Sequence, residues 1–403
     1  MKHLALAAAL LASAQVFGAP LAAETHRIEP GDDAGTRLQE ALILAAPGDT
    51  IELGEGRFVL TDGLSLDVDG VTVRGAGMHK TILDFTGQQG AGEGLLVTSD
   101  NVTLRGFAVE NPKGDGIKSK GADMIIYDGI RVEWTGGPKE TNGAYGIYPV
   151  ESTGVLVVSS EVIGASDAGI YVGQSRDITV RGNIVRYNVA GIEIENSRNA
   201  LVEYNAASRN TGGLLVFDLP GLPVMGGGNV ILRNNMVVHN DTPNFAPPGN
   251  IVASVRRGTG VLIMANDGVL IERNMFENNP TAHVMVVAYT QPFEDARYNP
   301  HARNVLIGGN SFGRGGDDPQ LDGKEQLLAA FGGALPPVLW DGLAESPDNA
   351  LRITPGVTGW SLNLSQVGQS LAEAQPGPLT LTPVENWQFP KVGAPEALEA
   401  RLK

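Results

Sequence analysis

The chain contains no cysteine, so neither a disulfide nor a cysteine-ligated zinc holds it together. Aromatic residues make up only 6% of it, too few for a core built on large rings. After residue 23 no apolar run is long enough to cross a bilayer. Positive charge is scarce: the formal net charge is −16, which argues against nucleic acid or an anionic membrane surface as partner. A polyanionic substrate would need local basic residues or a divalent cation to meet it.

Glycine is abundant, at 53 of 403 residues, with 24 prolines. This suits many tight corners around a narrow core of Val, Ile and Leu. The first 23 residues read as a secretory leader. Lys2 supplies the positive start, Leu4–Ala14 is an apolar run too short to span a membrane, and Ala22-Ala23 precedes Glu24. The expectation is an exported product, periplasmic or extracellular.

The glycines carry a repeat. Tyr-Gly-Ile-Tyr-Pro-Val (Tyr145–Val150), Ala-Gly-Ile-Tyr-Val-Gly (Ala168–Gly173), Ala-Gly-Ile-Glu-Ile-Glu (Ala190–Glu195) and Gly-Gly-Leu-Leu-Val-Phe (Gly212–Phe217) follow one another every 22 or 23 residues. Each is followed by a second phrase, such as Asp177–Asn183 and Asn199–Asn205. A fixed period of this size means one small unit stacked on copies of itself. The unit is too short for a strand–helix–strand crossover, and its apolar residues alternate with period two. The predicted fold is all-β: a single-stranded right-handed parallel β-helix.

Acidic residues followed by Leu38, Ala41, Leu42 and Ala45 predict a helix over Asp33–Ala45 that caps the open end of the stack. The expected organisation is leader 1–23, cap and first strands 24–62, β-helix 63–316 and a C-terminal extension 317–403 on the stack. Period-breaking surplus lies in three insertions, Leu219–Gly228, His239–Gly258 and Thr290–Arg303. Two of them leave after the first strand of a coil and are expected to wall one flat face, where binding usually resides. The Asn series at 183, 205, 235, 274 and 310 reads as structural: corner residues in left-handed backbone, with amides bonded from coil to coil.

Strand parity selects the residues that leave the core. With Ile147, Ile170, Ile192 and Leu214 inside, Tyr148, Tyr171, Glu193 and Leu215 point outward, followed by Val150, Gly173, Glu195 and Phe217. The preceding coil adds Lys118 and Lys120 to this face. Two readings stay open. A cation, two phenols and two carboxylates within a few strand spacings make an acid/base constellation, in which Lys or Tyr removes a proton beside a carboxyl group and Tyr or Glu returns one. The same residues also make a solvated ladder that keeps the sheet soluble. Asp115 and Asp167 precede the strands as turn residues or face the cleft. No His is paired at metal-ligand spacing; His239 and His301 lie in insertions.

The phrases Tyr145–Glu151, Ser166–Gln174, Ala190–Asn196, Gly213–Gly221 and Thr242–Ala253 resemble a family of exported bacterial parallel β-helix repeat proteins. That resemblance implies a pectin-lyase-like solenoid and, as a partner, a secreted diheme c-type cytochrome. More distantly, Tyr145-Gly-Ile-Tyr-Pro-Val-Glu151 is similar to the Tyr-Gly-Phe-Asp-Pro-His-Glu motif of mannuronan C5-epimerases. It implies Tyr145 in the motif Tyr position and Lys118 or Lys120 as the upstream Lys, while the Asp and His positions hold Tyr148 and Val150. The functional expectation is a protein that binds or modifies a polysaccharide. Lys118, Tyr145, Tyr148 and Tyr171 would carry protons, and Lys120, Glu193, Glu195, Phe217 and Asp218 would contact substrate. Glu193 and Glu195 would orient groups or hold calcium, a cation that favours oxygen ligands. The rival reading is a non-enzymatic scaffold docking the cytochrome through the insertions.

Overall fold

The computed structural model describes residues 23–90, 92–346, 350–369, 374–379, 381 and 389–403. The leader expected over Met1–Ala23 lies outside them but for its last residue. Among the described residues no helix is long and apolar enough to cross a membrane.

Among the described residues three sheets run along a right-handed β-helix, two of twelve strands and one of ten, parallel throughout except for the last short strand, Gly377–Pro378. One coil shows the pattern. Tyr145–Val150 lies in what we term the face sheet, Thr153–Val158 in the flank sheet and Glu161–Ile163 in a short sheet. The period-two pattern places Ile147, Ile170, Ile192 and Leu214 in one interior stack, as parity predicted. Each such fully buried side chain contributes about 1.5–3 kcal/mol relative to an exposed one. In the regular repeats the sequence shows two strand phrases per coil. The third has only three residues in most coils, too few to show alternation.

The repeated glycine is a packing requirement. A Cβ on Gly146 would stand 2.3 Å from Val162 Cγ1, and one on Gly191 would stand 2.5 Å from the carbonyl oxygen of Gly213 in the next coil. The corner at that glycine also breaks strand parity. Ile147 enters the core, whereas Tyr145, two residues earlier, turns outward onto Tyr148 and Tyr171.

The Asn series forms a buried ladder. Asn183 donates from its backbone and side chain, both at 2.9 Å, to Asn205 Oδ1; Asn205, Asn235 and Asn274 repeat this one coil on. The left-handed backbone is not theirs but belongs to the residue before each: Gly182, Tyr204, Asn234, Arg273 and Gly309. A second ladder, Asn188, Asn210, Asn240 and Asn279, escaped the sequence reading. Its members sit at a second corner, five residues on.

At the start, the helix Ala34–Leu44 buries Ala34, Leu38 and Leu42 against the first coil. That coil begins at Thr50–Leu53, ahead of the boundary expected at residue 63, and includes the strand Gly56–Val59. At the other end the stack does not stop at Gly316. Val338–Trp340 and Gly359–Ser361 extend the face sheet, and Leu351–Ile353 extends the flank sheet. These strands have three residues each and irregular spacing, so they leave no period in the sequence, yet they pair edges that would otherwise be open. The C-terminal helix Glu396–Ala400 docks Leu398 on Ile126, Leu156 and Val158 of the flank sheet, and Glu399 accepts two bonds from Arg181.

Candidate active site

The outer surface of the face sheet carries the residues singled out by parity. Lys118 pairs with Tyr148, Tyr171 with Glu193, and Glu193 with Leu215 in adjacent strands. Neighbouring coils stand about 4.8 Å apart, so these side chains form one row. A second row holds Lys120, Val150, Gly173, Glu195 and Phe217.

The surface is not solvated. Tyr171 is 4% exposed, Glu193 1% and Glu195 6%. The insertions roof this part of the face instead of standing beside it. The His239–Gly258 insertion arrives from the corner before the face strand and lays Phe245, Ile251, Val252 and Val255 on the cluster. The other two leave by the opposite corner, and Tyr298 from one donates its hydroxyl to the Asp218 carbonyl at 2.6 Å. The Lys118 end, whose coil lacks these insertions, keeps access to solvent.

Beneath the roof three tyrosines stack on one another. The ring centroids of Tyr145 lie 4.5 Å from both Tyr148 and Tyr171, and Tyr148 meets Tyr171 edge-on at 5.0 Å. Tyr171 lies flat over Gly173, where a Cβ would come within 2.3 Å of its ring, and this lets its hydroxyl donate to Glu195 Oε1 at 2.6 Å. Three carboxyls converge on the phenols. Asp167 lies near enough to Tyr145 for its charge to act on the phenol, and Asn250 of the roof donates to Asp167 Oδ2 at 3.3 Å.

Burial sets the protonation of this group. It pushes Asp167 up to about 7, with repulsion from Glu195 adding to it. Glu193 is raised well above the ordinary carboxyl range, first by burial and then by the charges of Asp167 and Glu195; held protonated, it hydrogen-bonds Glu195. The other Glu193 oxygen has no hydrogen-bond partner. Burial raises Glu195 as well, opposed by the Tyr171 bond. The phenols move the same way, Tyr148 to about 12 and Tyr145 and Tyr171 further, through burial and the neighbouring carboxyls. These groups therefore stay protonated. Phenols held protonated are poorly suited to remove a proton, and Asp167 is the carboxyl of this cluster that burial brings to about 7.

The solvent end is basic only at Lys118. Its Nζ lies 3.3 Å from Glu93 and 3.9 Å from Asp115, and 4.9 Å from the Tyr148 ring centre. Burial pushes Asp115 up to about 6. Lys120 turns away toward Glu151 at 3.9 Å and is largely exposed. Phe217 is buried among roof residues, and Asp218 accepts bonds from the Gly226 and Gly227 amides, so both support the roof and neither faces solvent. His239 meets Asn278 and His301 sits on the far insertion, both outside the cluster. Among the described residues no group of three or more His, Asp or Glu side chains is placed to hold a metal. Sequence reasoning left Asp167 undecided and missed Asn250 and Tyr298. The place of Asp167 just before a face strand, matching Asp115, was the available signal.

Residues 69–221 match the family described as Right handed beta helix region. No curated protein matches the sequence. Among solved structures, the A-module of mannuronan C-5 epimerase AlgE4 from Azotobacter vinelandii is similar with a TM-score of 0.53 and 15% identity, over 81% of this chain and 91% of that one. The AlgE6 A-module from the same organism gives 0.51 and 15%, over 81% and 90%. A DFA-IIIase from Arthrobacter chlorophenolicus gives 0.50 and 13%, over 82% and 99%. At these identities the likeness is one of fold.

Proposed function

We propose that this is an exported β-helix protein that modifies an acidic polysaccharide by proton transfer at the face sheet, in the manner of a lyase or C5-epimerase. The observation that carries the reading is the convergence of Tyr145, Tyr148 and Tyr171 with Asp167, Glu193 and Glu195, one carboxyl of which is poised near 7. A group that titrates near neutrality beside fixed proton donors is what general acid–base chemistry requires. The AlgE4 and AlgE6 A-modules, mannuronan C-5 epimerases on a similar fold, support the same class.

In this reading the uronate carboxylate approaches Lys118 at the open end. Ionised Asp167 removes the proton beside the carboxyl group. A tyrosine hydroxyl returns a proton, either to the leaving glycosidic oxygen or to the opposite face of the same carbon. The Asn250 contact ties the roof to Asp167, so the insertion His239–Gly258 must lift before a sugar ring reaches that carboxyl.

The test is to incubate purified protein with uronate and neutral polysaccharides. Absorbance of unsaturated products and solvent deuterium at C5 would be followed. Signal lost in Lys118→Ala and Asp167→Asn supports the reading. No product on any glycan, with a c-type cytochrome co-isolating with the protein, overturns it in favour of a docking scaffold.

A further inference from the structure

The row that begins at Lys118 does not end at the tyrosines. It continues through Leu215, Leu262, Met285, Leu339 and Trp360, each paired to the next across adjacent strands. Its far end is apolar, and there it floors a cavity of about 500 Å³. From Glu193 to Trp360 is five coil spacings, roughly 24 Å. The cavity is therefore separate from the proposed proton-transfer site, and its role does not depend on that reading.

The helix Lys324–Ala330 forms its outer wall, and this helix has no fully buried residue. Leu327, Phe331, Leu339 and Trp360 all stay half-buried around the space, with the Phe331 and Trp360 rings edge-to-face at 4.8 Å. A wall that leaves such side chains half-covered gives up apolar burial that closer packing would recover. An apolar occupant would recover it without moving the helix. The volume falls within the range of about 300–1,000 Å³ common to small-molecule sites.

Charge narrows the occupant. Arg256 lines the cavity, is exposed at its edge, and has no ion-pair or hydrogen-bond partner for its guanidinium among the described residues. Two carboxylates also line the space: both Asp341 oxygens are engaged by backbone amides of Ala288 and Leu343, and Asp322 is exposed at the rim. We propose that this cavity binds a monoanionic amphiphile, an aliphatic carboxylate whose chain lies over Met285, Leu339 and Trp360 and whose head group meets Arg256.

The experiment uses the full mature chain and linear carboxylates of six to twelve carbons, with the matching alcohols, titrated by calorimetry and by tryptophan fluorescence. Affinity should rise roughly fourfold per added methylene until the cavity is full. Arg256→Gln should weaken carboxylates about tenfold and leave alcohols unchanged, and Leu327→Asp, on the half-exposed wall, should abolish both. Trp360→Phe should reduce the fluorescence change, leaving the part reported by Trp340 on the same cavity, while calorimetric binding persists. Absence of any chain-length dependence, equal loss of acids and alcohols in Arg256→Gln, or concentration-dependent dimerisation that Leu327→Asp abolishes would overturn the proposal. Glycan turnover is scored separately, so neither result decides the other.

Discussion

The protonation of Asp167 gives the sharpest test of the closed face. Asp167 is 5% exposed, and its carboxyl is raised from 3.8 to about 7 by burial and then by Glu195. A raised carboxyl pKa means the closed state holds a proton that the open or unfolded state releases. Its stabilising contribution is therefore complete below about pH 4 and is lost as pH climbs through 7. Three pH units correspond to at most about 4 kcal/mol of closing free energy. A β-helix of this length does not unfold as one cooperative unit, so the readout must be local. Backbone hydrogen exchange in 239–258, corrected for the intrinsic rise of exchange with pH, should show the roof opening more readily at pH 8 than at pH 5. Asp115 and Asp218, each raised to about 6 by burial, bend the curve the same way, so the diagnostic quantity is a difference. Asp167→Asn should flatten the slope between pH 5 and 8 relative to the native chain. Parallel slopes in the two proteins, or protection that increases with pH, would refute the reasoning.

Other tests address the frame and the site. Gly173→Ala places a methyl against the Tyr171 ring and displaces its hydroxyl from Glu195; overpacking and the lost bond together should destabilise the local structure by roughly 2–5 kcal/mol, measured by backbone hydrogen exchange in 168–173 and 190–195. Asn210→Ala strips the acceptor from two buried donors of Asn188 and should cost about 2–4 kcal/mol, while Asn310→Ala, at the half-buried end of the other ladder, should cost less. Leu398→Ala should release the C-terminal helix at a cost of about 2–4 kcal/mol, detected as faster proteolysis of the tail. Glu399→Ala, which removes a partly exposed ion pair, should cost less than about 1 kcal/mol in the same assay. Lys118→Ala, at the open end, should abolish turnover on uronate polymers while leaving hydrogen-exchange protection of the strands around it within about 0.5 kcal/mol of the native chain.

Sequence alone determined the solenoid. A 22-residue step, glycine at a fixed place in each phrase and apolar alternation leave few ways to bury Ile147, Ile170, Ile192 and Leu214 other than as one stack. It also determined which side chains share the outer rows, because pairing in register carries parity from coil to coil. It placed the amide ladder of Asn183 and its successors, though not the backbone that supports it. Tertiary structure alone decided what those rows experience. Parity cannot say that insertions from opposite corners meet over Tyr171 and Glu193, because the paths of aperiodic loops depend on contacts distant in sequence, such as Asn250 with Asp167 and Tyr298 with Asp218. That roof turns a row that parity leaves facing outward into a buried one, and burial raises the carboxyls and phenols. The last coils followed the same rule: strands of three residues carry too little pattern to be read, and their place was set by the unpaired edge waiting for them.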